Sequence, residues 1–168
     1  MLFRSLHHHH VDCDYFFELC ISFQKQTLIT SARYIIDMGK ILLIDDEQAI
    51  RKALKEILEY ESFEVTEAED GIAALKLVEK ETYDLIFCDV KMPRMDGLEV
   101  LNKLKERAVE TPVVIITGHG NIETAVESLK KGAYDFIQKP LDLNRILVTV
   151  RNACNQHSLQ KEIGRAHV

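Results

Sequence analysis

The chain lacks the marks of several large protein classes. Its four cysteines, Cys13, Cys20, Cys88 and Cys154, are scattered, and no two form a C-x-x-C pair. That spacing excludes a disulfide framework and fits a reducing cytoplasm. Positive charge is in deficit: 21 Lys and Arg stand against 27 Asp and Glu, for a net charge of −6. A chain of that sign has no general attraction to nucleic acid, so no direct nucleic-acid binding is expected of this segment. No apolar run is long enough to cross a membrane. The nearest candidate, residues 15–36, is broken by Glu18, Gln24, Lys25, Gln26 and Arg33. No signal-peptide layout opens the chain, because four histidines and two aspartates come first. No G-x-x-x-x-G-K-[ST] sequence occurs, which excludes a P-loop nucleotide site within these residues.

What is present is ordinary in bulk and ordered in detail. The 168 residues are 46% hydrophobic and 29% charged, enough for one domain with a sizeable core plus tails. Residues 1–37 differ from the rest. They carry His7 to His10 and mixed aromatics without a clean period, and read as a disordered or non-native extension. Met38-Gly39-Lys40 leads straight into an apolar segment, as a natural start would. From there strands and helices alternate. Strands are expected at 40–44, 63–67, 85–88, 113–116 and 134–137. Helices are expected where apolar residues recur at helical spacing: Ile50 to Leu58, Ala74 to Val78, Leu98 to Leu104, Ile122 to Leu129 and Leu143 to Val150. The fourth should stop at Lys130-Lys131-Gly132. Strands one, three and four are apolar throughout, so both faces of their sheet must be covered. The second alternates, as a half-buried edge strand does. The expected fold is a doubly wound α/β domain of flavodoxin-like type, with a five-stranded parallel sheet in the order 2-1-3-4-5.

That order places strands one and three side by side. Ligands of such sheets collect at the carboxyl ends of the strands, near the switch point. Asp45 and Asp46 close strand one, Asp89 closes strand three, Thr117 follows strand four and Lys139 follows strand five. Three carboxylates on one rim repel unless a cation lies among them or one stays protonated. Hard oxygen donors favour Mg2+, with Mn2+ an alternative, and such a site suits phosphoryl chemistry. A carboxylate can attack a phosphoryl group and form an acyl phosphate. Lys139 brings a compact positive charge, the Thr117 hydroxyl can donate to a phosphoryl oxygen, and Gly118 leaves room for the group to enter. Any one of these residues alone reads more readily as a turn or helix-cap residue. The weight lies in the set, each member closing a different strand.

Four segments carry a family resemblance: Leu43-Ile44-Asp45-Asp46-Glu47, the stretch from Asp89-Val90-Lys91-Met92-Pro93 to Gly97, Thr117-Gly118-His119-Gly120, and the stretch from Gly132 to Lys139-Pro140-Leu141. Their order and spacing over about residues 40–154 resemble the receiver domain of two-component response regulators. The segments from Thr117 to Leu141 are closest to receivers of the NtrC and NtrX type, whose later domains act on sigma-54 RNA polymerase. The resemblance implies that Asp89 accepts phosphate from a sensor histidine kinase or a phosphotransfer protein. It implies Mg2+ bound directly by Asp46, Asp89 and the backbone carbonyl of Lys91, with Asp45 acting through water. Thr117 and Lys139 would hold the phosphoryl oxygens, and Phe136 would be the switch aromatic. The Lys139–Pro140 peptide would be cis. Lys91 and His119 would flank the hydrolytic water and tune the phosphate lifetime without deciding whether phosphate is accepted.

The domain is accordingly expected over 38–155, with 156–168 the start of a linker helix. The last residues, Ile163 to Val168, resemble a translated sequencing adapter and are expected to be non-native. The face made by helix four, strand five and helix five would change shape on phosphorylation and serve a homodimer or an output domain, the latter for transcription regulation. On this reading the chain is no enzyme towards a free substrate and promotes only its own phosphorylation and dephosphorylation. Three rival readings are a stand-alone receiver in a phosphorelay, a Mg2+-dependent phosphatase of the haloacid-dehalogenase kind and a flavin-binding module. The phosphatase puts its nucleophile on strand one and its acidic pair late, the reverse of the order here. The flavin module needs a first loop that welcomes phosphate, and Asp45-Asp46-Glu47 would repel one.

Overall fold

The computed structural model describes residues 39–118 and 122–166. Expectations placed on residues 1–37 and on His119 therefore lie outside the described residues. Among the described residues, five strands alternate with five helices: β1 (Lys40–Ile44), α1 (Gln48–Tyr60), β2 (Glu64–Ala68), α2 (Gly71–Lys80), β3 (Leu85–Asp89), α3 (Gly97–Glu106), β4 (Val113–Thr117), α4 (Ile122–Lys130), β5 (Asp135–Gln138) and α5 (Leu143–Ala166). All pairings are parallel, in the order β2-β1-β3-β4-β5. The expected sheet is the one observed.

The apolar strands divide their side chains between two cores, as the two-residue period of a strand requires. Leu42, Ile44, Ile86, Cys88, Val113 and Ile115 face α2 and α3, meeting Ala74, Leu75, Val100, Leu101 and Leu104. Ile41, Leu43, Leu85, Phe87, Val114 and Ile116 face α1 and α5, meeting Leu54, Leu58, Ile146 and Val150. Each such side chain, wholly removed from water, stabilises the fold by about 1.5–3 kcal/mol. Cys88 belongs to this packing. Burial pushes its thiol well above the usual range, which keeps it protonated and inert.

Several boundaries differ from the expected ones by a residue or more. β2 begins one residue later than expected because Phe63 ends α1 instead, its N–H donating to the Leu58 carbonyl at 3.0 Å. β3 and β4 each run one residue further, so Asp89 and Thr117 are the last residues of their strands, not the first of the loops. Asp89 still pairs with Ile116, and Thr117 with Gln138. Both side chains thereby inherit the rigidity of the sheet. α5 is longer than its apolar pattern suggested, continuing unbroken past residue 155 to Ala166. His157 is buried there, with Nδ1 3.8 Å from an Asp84 carboxylate oxygen at the foot of β3.

Helix starts hold the segments that flank Asp89. Asp70 caps α2 by accepting from the Ala73 N–H at 2.7 Å, and Arg94 from the loop after β3 pairs with it. Asp96 and Glu99 form a reciprocal capping box at α3. Gly97 packs so tightly under the end of β3 that a β-carbon there would collide with the Asp89 carbonyl oxygen and come within 3.0 Å of the Val90 Cα. Both obstacles are backbone, so neither can turn aside. Gly97→Ala should therefore lower stability by about 2 kcal/mol or more. The measurement is urea unfolding, with the midpoint falling and the slope unchanged.

Candidate functional site

The carboxyl ends of β1, β3, β4 and β5 meet at one rim, and Lys139 is its centre. Its ammonium lies 2.8 Å from Asp89 Oδ1, 3.2 Å from Asp45 Oδ2 and 3.2 Å from Glu47 Oε1. The backbone puts it there: the Lys139 N–H donates to the Thr117 carbonyl at 2.7 Å, carrying the β4–β5 ladder one step past the strand. The next peptide, Lys139–Pro140, is cis. Asp45 is fully buried and Asp89 is 4% exposed. Asp45 also accepts from the Glu47 N–H at 2.8 Å, and its carbonyl accepts from Arg51 at 2.6 Å. That fixes the turn between β1 and α1.

Burial is the main influence on Asp89 and raises its carboxyl above the ordinary value; Lys139 and the Lys91 N–H pull the other way without cancelling it. For Lys139, burial would lower the ammonium, but the bond and charge of Asp89, followed by those of Asp45, hold it above the usual lysine range. One acid and one base thus share a partly desolvated rim, with the carboxylate poorly solvated and the ammonium firmly charged. A poorly solvated carboxylate beside a fixed cation is equipped to attack an electrophile that carries negative oxygens.

The other expected residues are placed as follows. Thr117 is 2% exposed at the end of β4. Asp46 is exposed beside the buried Asp45. Lys91 has an exposed side chain, and its N–H favours the charged form of Asp89. Phe136 is partly buried and packs against the α2–α3 core. The Lys139 ammonium bridges Asp45 and Asp89, while the side chain of Asp46, next in sequence, is exposed. Among the described residues, no three His, Cys, Asp or Glu side chains are gathered as a metal cage. The donors expected to hold a metal, from Asp45, Asp46, Asp89 and the Lys91 carbonyl, are nonetheless all hard oxygens. They fit Mg2+ and would not favour a soft metal.

Two features escaped the sequence reading. Glu47, given no role of its own in the sequence beyond the Asp45-Asp46-Glu47 segment, takes part in the ion pairs of the rim. An apolar groove of about 300 Å³ opens beside Lys139, lined by Ile50, Leu54, Ile57, Pro140, Leu141 and Ile146. Its α1 positions lie one helical turn apart, which was legible, but its other wall comes from residues some ninety positions later in the chain.

Residues 41–151 match the response regulator receiver domain family. The chain belongs to that family. It is 42% identical over 125 residues to the nitrogen assimilation regulatory protein NtrX of Azorhizobium caulinodans, covering 73% of this chain and 28% of that one. It is 35% identical over 130 residues to the regulatory protein AtoC of Escherichia coli, covering 77% and 28%. The crystal structure of the receiver domain of NtrX from Brucella abortus superposes with a TM-score of 0.66 at 41% identity, covering 68% of this chain and 98% of that one. The chain thus spans little more than a quarter of these two curated relatives. It is a receiver of the NtrC and NtrX type, with the phosphoacceptor role that belongs to such domains.

The raised carboxyl of Asp89 predicts a pH signature for this receiver. The folded chain binds the Asp89 proton more tightly than the unfolded chain does, so ionising Asp89 costs stability. That cost is absent below the ordinary carboxylate value of 3.8, grows as pH rises from there through the raised value, and is complete above it. Asp89→Asn should raise the melting temperature at neutral pH in buffer containing a chelator. The gain should shrink as pH falls towards 3.8. Calorimetry of both chains across pH 3.5 to 8 checks it; an equal gain at every pH would contradict it.

Proposed function

We propose that this receiver takes a phosphoryl group from the phosphohistidine of a sensor histidine kinase or phosphotransfer protein onto Asp89, and that the modified rim then reshapes the α4–β5–α5 face. The observation that carries the reading is the Lys139 ammonium 2.8 Å from a buried carboxylate at the end of a central strand. An Asp89 carboxylate oxygen attacks phosphorus in line. The new O–P bond forms as the donor's N–P bond breaks, and the electron pair leaves with the imidazole. Lys139 neutralises the phosphoryl oxygens, and the Thr117 hydroxyl donates to one of them. Asp46, Asp89 and the Lys91 carbonyl would hold Mg2+, with Asp45 supporting it. The ion would supply the charge that lets an anionic nucleophile meet an anionic group. Lys91 and His119 would set how long the phosphate stays.

The groove beside Lys139 gives the donor protein a place to rest. It is apolar, it adjoins the ammonium, and Ile50, Leu54 and Ile57 present one helical stripe to whatever enters. An amphipathic helix carrying the phosphohistidine is the occupant of matching chemistry. On the output side, Ile122 is 72% exposed and Val126 44% exposed, on the face of α4 turned to water. Inward turning of Phe136 after Thr117 has moved would shift this face between two populated states. A second copy or a downstream output domain for transcription control would cover it, the latter led by the part of α5 beyond residue 155. Among the described residues, no helix is long and apolar enough to cross a membrane, in keeping with a cytoplasmic site of action.

Incubation with acetyl phosphate and Mg2+, followed by intact mass, tests the transfer. The chain should gain one phosphate, and the gain should vanish in Asp89→Asn and in the presence of excess chelator. Full labelling of Asp89→Asn would sink the reading.

A further inference from the structure

Glu47 holds an unusual position. It is the N-cap residue of α1, yet its side chain makes no capping hydrogen bond. An N-cap side chain ordinarily accepts from the first turn of its helix. The Glu47 carboxylate instead reaches across the rim to Lys139, while the Glu47 N–H is held by Asp45. The residue is thus tied to the rim by both its backbone and its side chain. Its side chain remains 60% exposed, whereas those of Asp45 and Asp89 are buried.

An ammonium has three N–H donors, and three carboxylates stand within 3.2 Å of this one. A phosphoryl oxygen arriving at Asp89 must therefore displace a partner of Lys139. Asp45 and Asp89 cannot leave without stranding a buried charge, which is costly. Glu47 can swing into water at little cost. Its negative charge also lies at the mouth of the rim, where it opposes an incoming anion.

We propose that Glu47 is the displaceable counter-ion of Lys139: a positioning residue that restrains the ammonium and discourages small anionic phosphodonors until a phosphoryl group replaces it. Glu47 forms no covalent bond in the transfer. The inference rests on Asp89 being the phosphoacceptor.

The test compares the wild-type chain with Glu47→Gln and with Glu56→Gln, an exposed α1 carboxylate that serves as the net-charge control. Each is incubated with acetyl phosphate at saturating Mg2+, and the rate of phosphate gain is read by intact mass at several ionic strengths. Thermal melts of all three confirm folding. Glu47→Gln should gain phosphate roughly threefold faster or more at low salt, with the advantage fading towards about 1 M salt as screening takes over. Glu56→Gln should match the wild type. An unchanged rate in Glu47→Gln, or an acceleration that high salt does not reduce, would each overturn the inference. A labelled wild type with an unaltered Glu47→Gln overturns this inference alone. A wild type that gains no phosphate overturns the phosphoacceptor reading and this inference with it.

Discussion

The bridge from Lys139 to Asp89 and Asp45 is the contact on which the rest of the rim depends. Two buried carboxylates a few ångströms apart would repel strongly in a poorly solvated setting. One ammonium between them answers both, and its approach is fixed by the backbone bond from Lys139 to Thr117. The parallel sheet makes that meeting possible. It brings the ends of β1, β3, β4 and β5 together, although their residues lie up to ninety-four positions apart. The helices that cover the sheet then have a positional duty. α3 packs its first residue directly against the end of β3, so the strand cannot shift without clashing.

Much of this was legible because the signals were local and redundant. Continuous apolar strands, helical stripes and the Lys130-Lys131-Gly132 stop gave the element order, and the strand order followed from the fold class. Asp45, Asp89, Thr117 and Lys139 could be named because each closes a strand. What escaped depends on contacts distant in sequence. Ser62 follows α1 and Ala108 follows α3; both have left-handed backbone without being glycine. Those conformations are stabilised because Phe63 and Val109 then pack into the cores. Such a stop carries no marker residue. The long run of α5 is similar: Ala153 and His157 are buried against the sheet, but the polar residues between them hide the stripe.

The unequal exposure of Asp45 and Asp46 was also out of reach of the sequence, which shows only two adjacent acids. One turns into the rim and the other towards water because the Asp45 carboxylate receives the Glu47 N–H and meets Lys139. Lys91 was expected to serve through its carbonyl; its N–H also favours the charged form of the Asp89 carboxyl. Backbone groups of a loop carry no signature in the side chains of that loop. The proposed division of labour builds on this geometry: the buried acids and the ammonium would do the chemistry, the groove beside α1 would receive a donor, and the apolar side of α4 would report outward.

The most direct test of the account is the chemical identity of the modified residue. Reduction of the phosphorylated chain with borohydride, followed by peptide mass mapping, converts an aspartyl phosphate to homoserine at the position that bore it. Homoserine at position 89 alone is the predicted result. Homoserine at position 45 or 46, or phosphate retained on a histidine with position 89 unchanged, would contradict it.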